Sequence, residues 1–226
     1  MLPPAPPPPA ASGPRRTVHC TDALGWLRDQ GVLTGCSVVT SLPDVSELGG
    51  MPLPDWKRWF VDSARLVLSR LPEDGVALFY QTDIKPDGLW VDKGYLCSRA
   101  AEDAGCETLF HKVVCRKPAG TITFGRPSYS HLLCFSRGVR VNLAHATADV
   151  LPELGEMTWT KAMGVAACVA ACRFIQQHTP SRTVVDPFCG LGTALAVANA
   201  LGLDAVGVEL SAKRARRARN LRVVLP

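Results

Sequence analysis

The sequence predicts an α/β protein: one domain on a seven-stranded, mostly parallel sheet with an antiparallel hairpin at one edge. Three observations carry that prediction. Short apolar, β-branched runs such as Thr183-Val184-Val185 and Cys36-Ser37-Val38-Val39-Thr40 have the make-up of strands covered on both faces. Segments between such runs repeat apolar residues at spacings of three and four, as in Trp56, Trp59, Phe60, Ala64 and Leu68, which is the period of a helix with one buried face. The chain has 226 residues and is 47% hydrophobic, enough for one domain with a filled core.

Residues 1–15 are rich in Pro and Ala with no apolar period, and read as a disordered or polyproline tail ahead of a domain spanning 16–226. Arg16-Thr17-Val18-His19-Cys20 is a short strand. Thr21-Asp22-Ala23-Leu24 opens a helix running to about residue 30, where Asp22 either caps the helix or meets a ligand amine. The strand at 36–40 ends in Ser41-Leu42-Pro43-Asp44. A helix follows, started by Pro54 and Asp55 and stopped by Pro72. Residues 75–80 form the next strand, with Gln81-Thr82-Asp83 at its carboxyl end, and a helix covers about 93–104. Residues 109–114 and 130–135 pair as the hairpin. Its loop carries Arg116, Lys117, Arg126 and Tyr129, either a nucleic-acid rim or an ordinary solvated connection.

Beyond a linker of small residues, Met157-Thr158-Trp159-Thr160-Lys161-Ala162 enters an apolar helix through Phe174. The strand Thr183-Val184-Val185 then meets a glycine turn, a helix over 193–200 and a last strand, Ala205-Val206-Gly207-Val208, which ends at Glu209. Lys213, Arg214, Arg216, Arg217, Arg219 and Arg222 fall on one C-terminal helical segment, which reads as a phosphate-contacting surface or as a solvated face.

Composition narrows the function. No apolar run approaches the roughly eighteen residues of a membrane span, and the N-terminus lacks signal-peptide form. Nine cysteines without paired spacing imply reduced thiols and a cytoplasmic location. Cys168 and Cys172 lie one helical turn apart, but no second pair or nearby histidine completes a zinc set, so no metal is expected. The net charge of +5 leans towards a polyanionic partner.

The chemistry concentrates in Asp186-Pro187-Phe188-Cys189-Gly190-Leu191-Gly192-Thr193 and the trailing Glu209. Glycines at 190 and 192 let backbone pass close under a ligand, and a carboxylate at the end of the next strand can accept both hydroxyls of a ribose. A dinucleotide fingerprint would show a third glycine, and a phosphate-cradling loop a Gly-Lys-Ser/Thr; neither is present. The pattern is that of a nucleoside pocket.

This stretch resembles the Asp-Pro-Phe-x-Gly-x-Gly-Thr motif of S-adenosylmethionine-dependent methyltransferases that modify exocyclic amino groups of DNA and RNA bases, the N4-cytosine and N6-adenine type. The resemblance implies a Rossmann-like class I methyltransferase domain. It implies that Asp186 faces the methionine ammonium group, Phe188 packs on the adenosine side and Glu209 holds the ribose, with Gly190, Gly192 and Thr193 shaping the cofactor turn. Thr21-Asp22-Ala23 is similar to a turn whose acid lies near the adenine amino group, with Thr for Gly. Thr160-Lys161 matches a position bordering the methionine end, with Ala162 for Pro.

Ser41-Leu42-Pro43-Asp44 falls where that family places its catalytic loop, Asp, Asn or Ser followed by Pro-Pro and an aromatic. An exocyclic amine is a poor nucleophile because its lone pair is delocalised into the ring. A side-chain oxygen and a backbone carbonyl that accept its two hydrogens localise the pair, while the aromatic stacks on the flipped base. Ser41 and Pro43 match; Leu42 replaces the first proline and Asp44 the aromatic. Stacking then falls to Trp56, Trp59 or Tyr129, and Asp44 itself can accept a proton. The catalytic turn precedes the cofactor turn, so the order of parts resembles a circularly permuted methyltransferase.

The expectation is methyl transfer from S-adenosyl-L-methionine to a base amine in nucleic acid. Arg116, Lys117, Arg126, Tyr129, Arg214 and Arg217 are the contacts expected with nucleic acid. Only about two dozen residues separate the hairpin from Thr160, too few for a recognition domain, and this ranks RNA (tRNA or rRNA) ahead of DNA. Competing readings are a methyltransferase of a small molecule or protein, and a non-catalytic cofactor-binding subunit serving a partner. Neither a membrane nor a metal enters any of them.

Overall fold

The structure, a computed structural model, describes residues 13–226, so the expected tail at 1–15 lies almost wholly outside the described residues. In chain order the elements are β1 (Arg16–His19), α1 (Ala23–Asp29), β2 (Cys36–Thr40), α2 (Leu53–Ser69), β3 (Ala77–Gln81), α3 (Lys93–Asp103), β4 (Glu107–Cys115), β5 (Tyr129–Ser136), β6 (Val150–Leu151), α4 (Val165–His178), β7 (Thr183–Asp186), α5 (Thr193–Ala200), β8 (Asp204–Val208) and α6 (Ala212–Asn220).

The strands form one sheet in the order β1-β8-β7-β2-β3-β5-β4-β6. Only β5 runs against its neighbours, lying antiparallel to both β3 and β4. This corrects the expected count: there are eight strands, not seven. The eighth, β6, is two residues long and pairs parallel with Val113 and Val114 of β4, so the hairpin is not the outermost layer of the sheet. Two residues cannot show a period, so β6 leaves no trace in the hydrophobic pattern. What places β6 is Lys112, whose buried Nζ donates to the carbonyls of Thr147 and Ala148 (3.0 and 2.9 Å) and meets Asp149 Oδ1 at 3.1 Å.

Alternation along each strand divides the core in two. Val39, Leu78, Tyr80 and Val184 face α4 and α5, while Val38, Phe79 and Val185 face α2 and α3. On α2 most of the expected stripe is buried: Trp56, Phe60, Ala64 and Leu68 have no exposed surface, while Trp59 is only half-buried. A large apolar side chain fully buried contributes about 1.5–3 kcal/mol of transfer free energy, so this stripe fixes α2 on the sheet. Arg16 fastens the other end, donating to Asn199 Oδ1 and to the last carbonyls of α6 at Ala218 and Leu221.

The order of strands positions the site. From β7 the chain crosses to β8 on one side, whereas from β2 it crosses to β3 on the other, and β2 and β7 are direct neighbours. Chain directions therefore part between β2 and β7, and the carboxyl ends of such strands open the crevice in which α/β sheets bind ligands. The turns leaving those strands are Ser41-Leu42-Pro43-Asp44 and Pro187-Phe188-Cys189-Gly190.

Candidate active site

The larger cleft lies over the end of β7. Gly190 and Gly192 hold φ of +54° and +83°, conformations open to glycine at little cost. A Cβ on Gly192 would also stand 3.0 Å from Ala218 of α6, and one on Gly207 would stand 2.4 Å from Leu195. The glycine turn is thus fixed both by its backbone and by close approach from β8 and α6.

Asp186 sits at the floor, 2% exposed. Its Oδ1 accepts from Thr40 Oγ1 at 2.7 Å and from the Phe188 amide at 3.1 Å. Burial, opposed by these two hydrogen bonds and reinforced by Glu209, pushes its carboxyl up to about 7. Oδ2 has no partner among the described residues, so the group is poised to take a ligand cation. Glu209, also buried, accepts from the Ser211 amide at 2.8 Å on Oε1, which also ion-pairs with Arg214 Nε at 3.0 Å, and Oε2 has no partner among the described residues. Phe188 meets the edge of Trp59, and Arg214 lies over the Trp159 ring. Thr193 Oγ1 pairs with Thr158 Oγ1 at 2.6 Å, tying the segment before α4 to the start of α5. Asp22 lines the cleft, and its Oδ2 caps α1 through the Gly25 amide.

A second, smaller and more polar cleft adjoins the first. Ser41, Leu42, Asp44, Gln81, Lys93, Arg116, Arg126 and Thr160 line it. Here Asp44 is 5% exposed and its carboxylate is held between Lys93 Nζ and Arg126 Nη2. Burial first, then the charge of Arg126, pushes the Lys93 ammonium down, to about 7. Trp56 Nε1 donates to the Pro43 carbonyl at 3.3 Å, so the turn is braced from beneath. The two clefts share one wall, made of Ser41, Leu42, Glu47, Lys161 and Ala162, with Lys161 Nζ 3.5 Å from Glu47 Oε2 across it.

Asp186, Phe188, Gly190, Thr193, Glu209, Asp22 and Lys161 thus come together around the larger cleft, Ser41, Leu42 and Pro43 beside them, and Thr160 on the smaller one. Gly192 stands behind the turn. Of the expected stacking surfaces, Trp56 is in the core, Trp59 faces the larger cleft, and Tyr129 leans on His131 at 5.4 Å. Arg116 and Arg126 border the smaller cleft; Lys117 is exposed on the same loop. On α6, Arg217 is exposed, whereas Arg214 is turned to Glu209. Sequence reasoning missed Lys93, Gln81, Glu47 and Trp159. A lysine or glutamine at the end of an element carries no signal of burial, and these become visible only when distant segments meet.

Cys168 and Cys172 are buried on the core face of α4, their thiols pushed up by burial. Asp83, Asp92 and His131 have ligand-like spacing, but the Asp83 oxygens already receive Lys93 N, Trp90 Nε1 and His131 Nε2. No helix among the described residues is long and apolar enough to cross a membrane.

No family model and no curated sequence matches the chain. Its fold is nevertheless shared with solved structures. One is a Thermus thermophilus protein, TTHA0409, provisionally described as a DNA modification methylase and solved with S-adenosyl-L-methionine; it has TM-score 0.69 and 18% identity over 90% of this chain and 92% of that one. The complex of M1.HpyAVI with SAM has TM-score 0.62 and 14% identity over 91% and 100% of the two chains. PvuII DNA methyltransferase, specific for cytosine N4, has TM-score 0.68 and 15% identity over 95% and 89%.

Proposed function

We propose that this protein transfers the methyl group of S-adenosyl-L-methionine to an exocyclic amine of a nucleic-acid base. The observation that carries the reading is the shared wall: the nucleoside-type cleft and the polar cleft meet at Ser41 and Leu42. Neighbouring folds bound to the same cofactor support it.

The donor set suits this cofactor. Asp186 presents a buried oxygen for an ammonium, Glu209 a free oxygen for ribose hydroxyls, and the Gly190 turn a flat approach beneath Trp159. When bound, S-adenosylmethionine supplies a methyl group on a positively charged sulfur. The chain's own part is to orient and activate the acceptor. Ser41 Oγ accepts one amine hydrogen; Trp56 occupies the Pro43 carbonyl, which leaves the Leu42 carbonyl for the other. Accepting both hydrogens directs the amine lone pair across the wall, and Lys161 with Glu47 narrows that passage against water. Asp44, held by Lys93 and Arg126, positions the turn; transfer leaves the thioether S-adenosylhomocysteine and a proton that the methylated amine gives up to solvent.

DNA is the favoured polymer. The preference for RNA rested on the lack of a recognition domain, yet PvuII DNA methyltransferase and the Thermus thermophilus protein provisionally described as a DNA modification methylase match this chain nearly end to end, so shortness does not separate the polymers. The order of turns fits the permuted arrangement, since the catalytic turn leaves β2 and the cofactor turn leaves its neighbour β7.

The test is transfer of labelled methyl from S-adenosylmethionine to genomic DNA and, separately, to total RNA, each digested to nucleosides and resolved by mass. Label on one amino-methylated nucleoside of DNA is expected. Absence of label from both polymers, with cofactor binding intact, would move the assignment to a small-molecule or protein acceptor or to a subunit that acts through a partner.

A further inference from the structure

We infer that Gln81, at the carboxyl end of β3, reads the accepting base by donating a hydrogen bond to the ring nitrogen beside its amine. This rests on the reading that the polar cleft receives a base.

Gln81 is 1% exposed, and neither its Oε1 nor its Nε2 has a hydrogen-bond partner among the described residues. Buried side-chain polar atoms without partners are few in folded proteins, and a primary amide with both ends unpaired has no structural reason to persist where an apolar residue fits. The same side chain lines the cleft that borders Ser41 and Leu42. Its neighbours there are already committed: Asp44 to Lys93 and Arg126, and Thr82 Oγ1 to Ser130 Oγ at 2.6 Å. Gln81 is therefore a neutral group in this cleft with donor and acceptor both unspent.

The chemistry of the edge selects its role. Once Ser41 and the Leu42 carbonyl hold the two amine hydrogens, the next atom along an adenine or cytosine edge is an unprotonated ring nitrogen, which accepts. Thymine and guanine carry N–H at that position. An amide donor from Gln81 thus matches amino bases of the adenine and cytosine type, and a bidentate or paired readout of this kind discriminates by at least about fivefold.

The experiment measures binding of 12-nucleotide single-stranded oligo(dA), oligo(dC), oligo(dT) and an abasic oligomer to native protein, Gln81→Leu and Gln81→Glu, by fluorescence anisotropy with S-adenosylhomocysteine present. Native protein should bind oligo(dA) or oligo(dC) at least about fivefold more tightly than oligo(dT). Gln81→Leu should shrink the preference about fivefold by weakening oligo(dA) and oligo(dC), leaving only the part held by Ser41 and the Leu42 carbonyl, and should leave oligo(dT) and abasic binding unchanged; Gln81→Glu, which only accepts, should weaken oligo(dA) and oligo(dC) further than Leu does. Thermal melting supplies the structural control, because an unpaired amide replaced by leucine should raise the midpoint. A base preference absent from native protein or undiminished in Gln81→Leu would overturn the inference, as would a lowered midpoint, which would reveal a structural partner. Calorimetric titration with S-adenosylhomocysteine is the separate check on the cofactor reading, and its failure would leave the Gln81 result to be judged on the oligomers.

Discussion

The two clefts share a wall but are built on opposite principles. The larger takes its floor from one run, from Asp186 through the glycine turn and β8 to Arg214, with its other walls from 22–24, 41–48, 59 and 159–163, and that floor is shaped by backbone: two positive φ angles and close approaches at Gly192 and Gly207. The smaller is assembled from separated segments, at 41–44, 80–82, 93, 116–126 and 157–162, and is held by charge, with Asp44 between Lys93 and Arg126. Backbone geometry suits a ligand of fixed shape. A charged, assembled cleft leaves room for the acceptor to differ while the donor stays the same, and it puts the molecule's specificity on side chains far apart in sequence.

The largest effect should come from the floor of the backbone-built cleft. Asp186→Ala removes the buried partner of the cofactor ammonium and should weaken S-adenosylhomocysteine binding by about 3–5 kcal/mol, abolishing it in ordinary calorimetry. On the charge-built side, the pair Leu42→Pro with Asp44→Tyr restores the family pattern yet strands a lysine that is 2% exposed. That double variant should lose about 3–5 kcal/mol in denaturant unfolding rather than gain activity, and adding Lys93→Met should recover most of the loss. Ser41→Ala, at the shared wall, should lower transfer about 100-fold and leave cofactor affinity unchanged in the same titration. Equal loss of binding in Asp186→Ala and Ser41→Ala would erase the distinction between the clefts.

Proton linkage gives a further contrast. The Asp186 carboxyl is raised to about 7, so its ammonium-binding form is the minor one at pH 6 and the major one at pH 8. Affinity for S-adenosylhomocysteine should therefore rise about tenfold across that interval and stay flat in Asp186→Asn. For folding the sign is opposite: a raised carboxyl favours the folded state at low pH, and this contribution is lost as pH climbs towards 7. Asp186→Asn should accordingly gain much more thermal stability over native protein at pH 8 than at pH 4, with an intermediate gain at pH 5 to 6. The smallest effect should come from α6. Lys213, Arg216 and Arg217 are exposed, whereas Arg214 is held by Glu209 and Arg219 donates to the Val18 carbonyl. Replacing the three exposed residues with Ala should weaken DNA binding a few-fold and flatten its salt dependence; an unchanged slope would make α6 a solvated face only.

The same division explains what was legible in the sequence. Strand, glycine turn, helix and acid lie within about two dozen residues, so Asp186, Gly190, Gly192 and Glu209 could be read as one unit before any contact was known. The burial stripe of α2 and the pairing of β4 with β5 were readable because each repeats over several residues. β6 was not, since its position depends on Lys112 gathering the carbonyls of Thr147 and Ala148. Asp44 looked like a substituted aromatic; its carboxylate is held between Lys93 and Arg126, 49 and 82 residues away. Gln81 looked like the polar end of a strand, and only its unpaired burial marks it out.

The most direct test of the two-cleft account is the structure of the protein bound to S-adenosylhomocysteine. The account predicts the amino group on Asp186, the ribose on Glu209 and the sulfur facing Ser41 and Leu42, open to the polar cleft. A sulfur turned away from that wall, or a ligand seated elsewhere in the crevice, would contradict it.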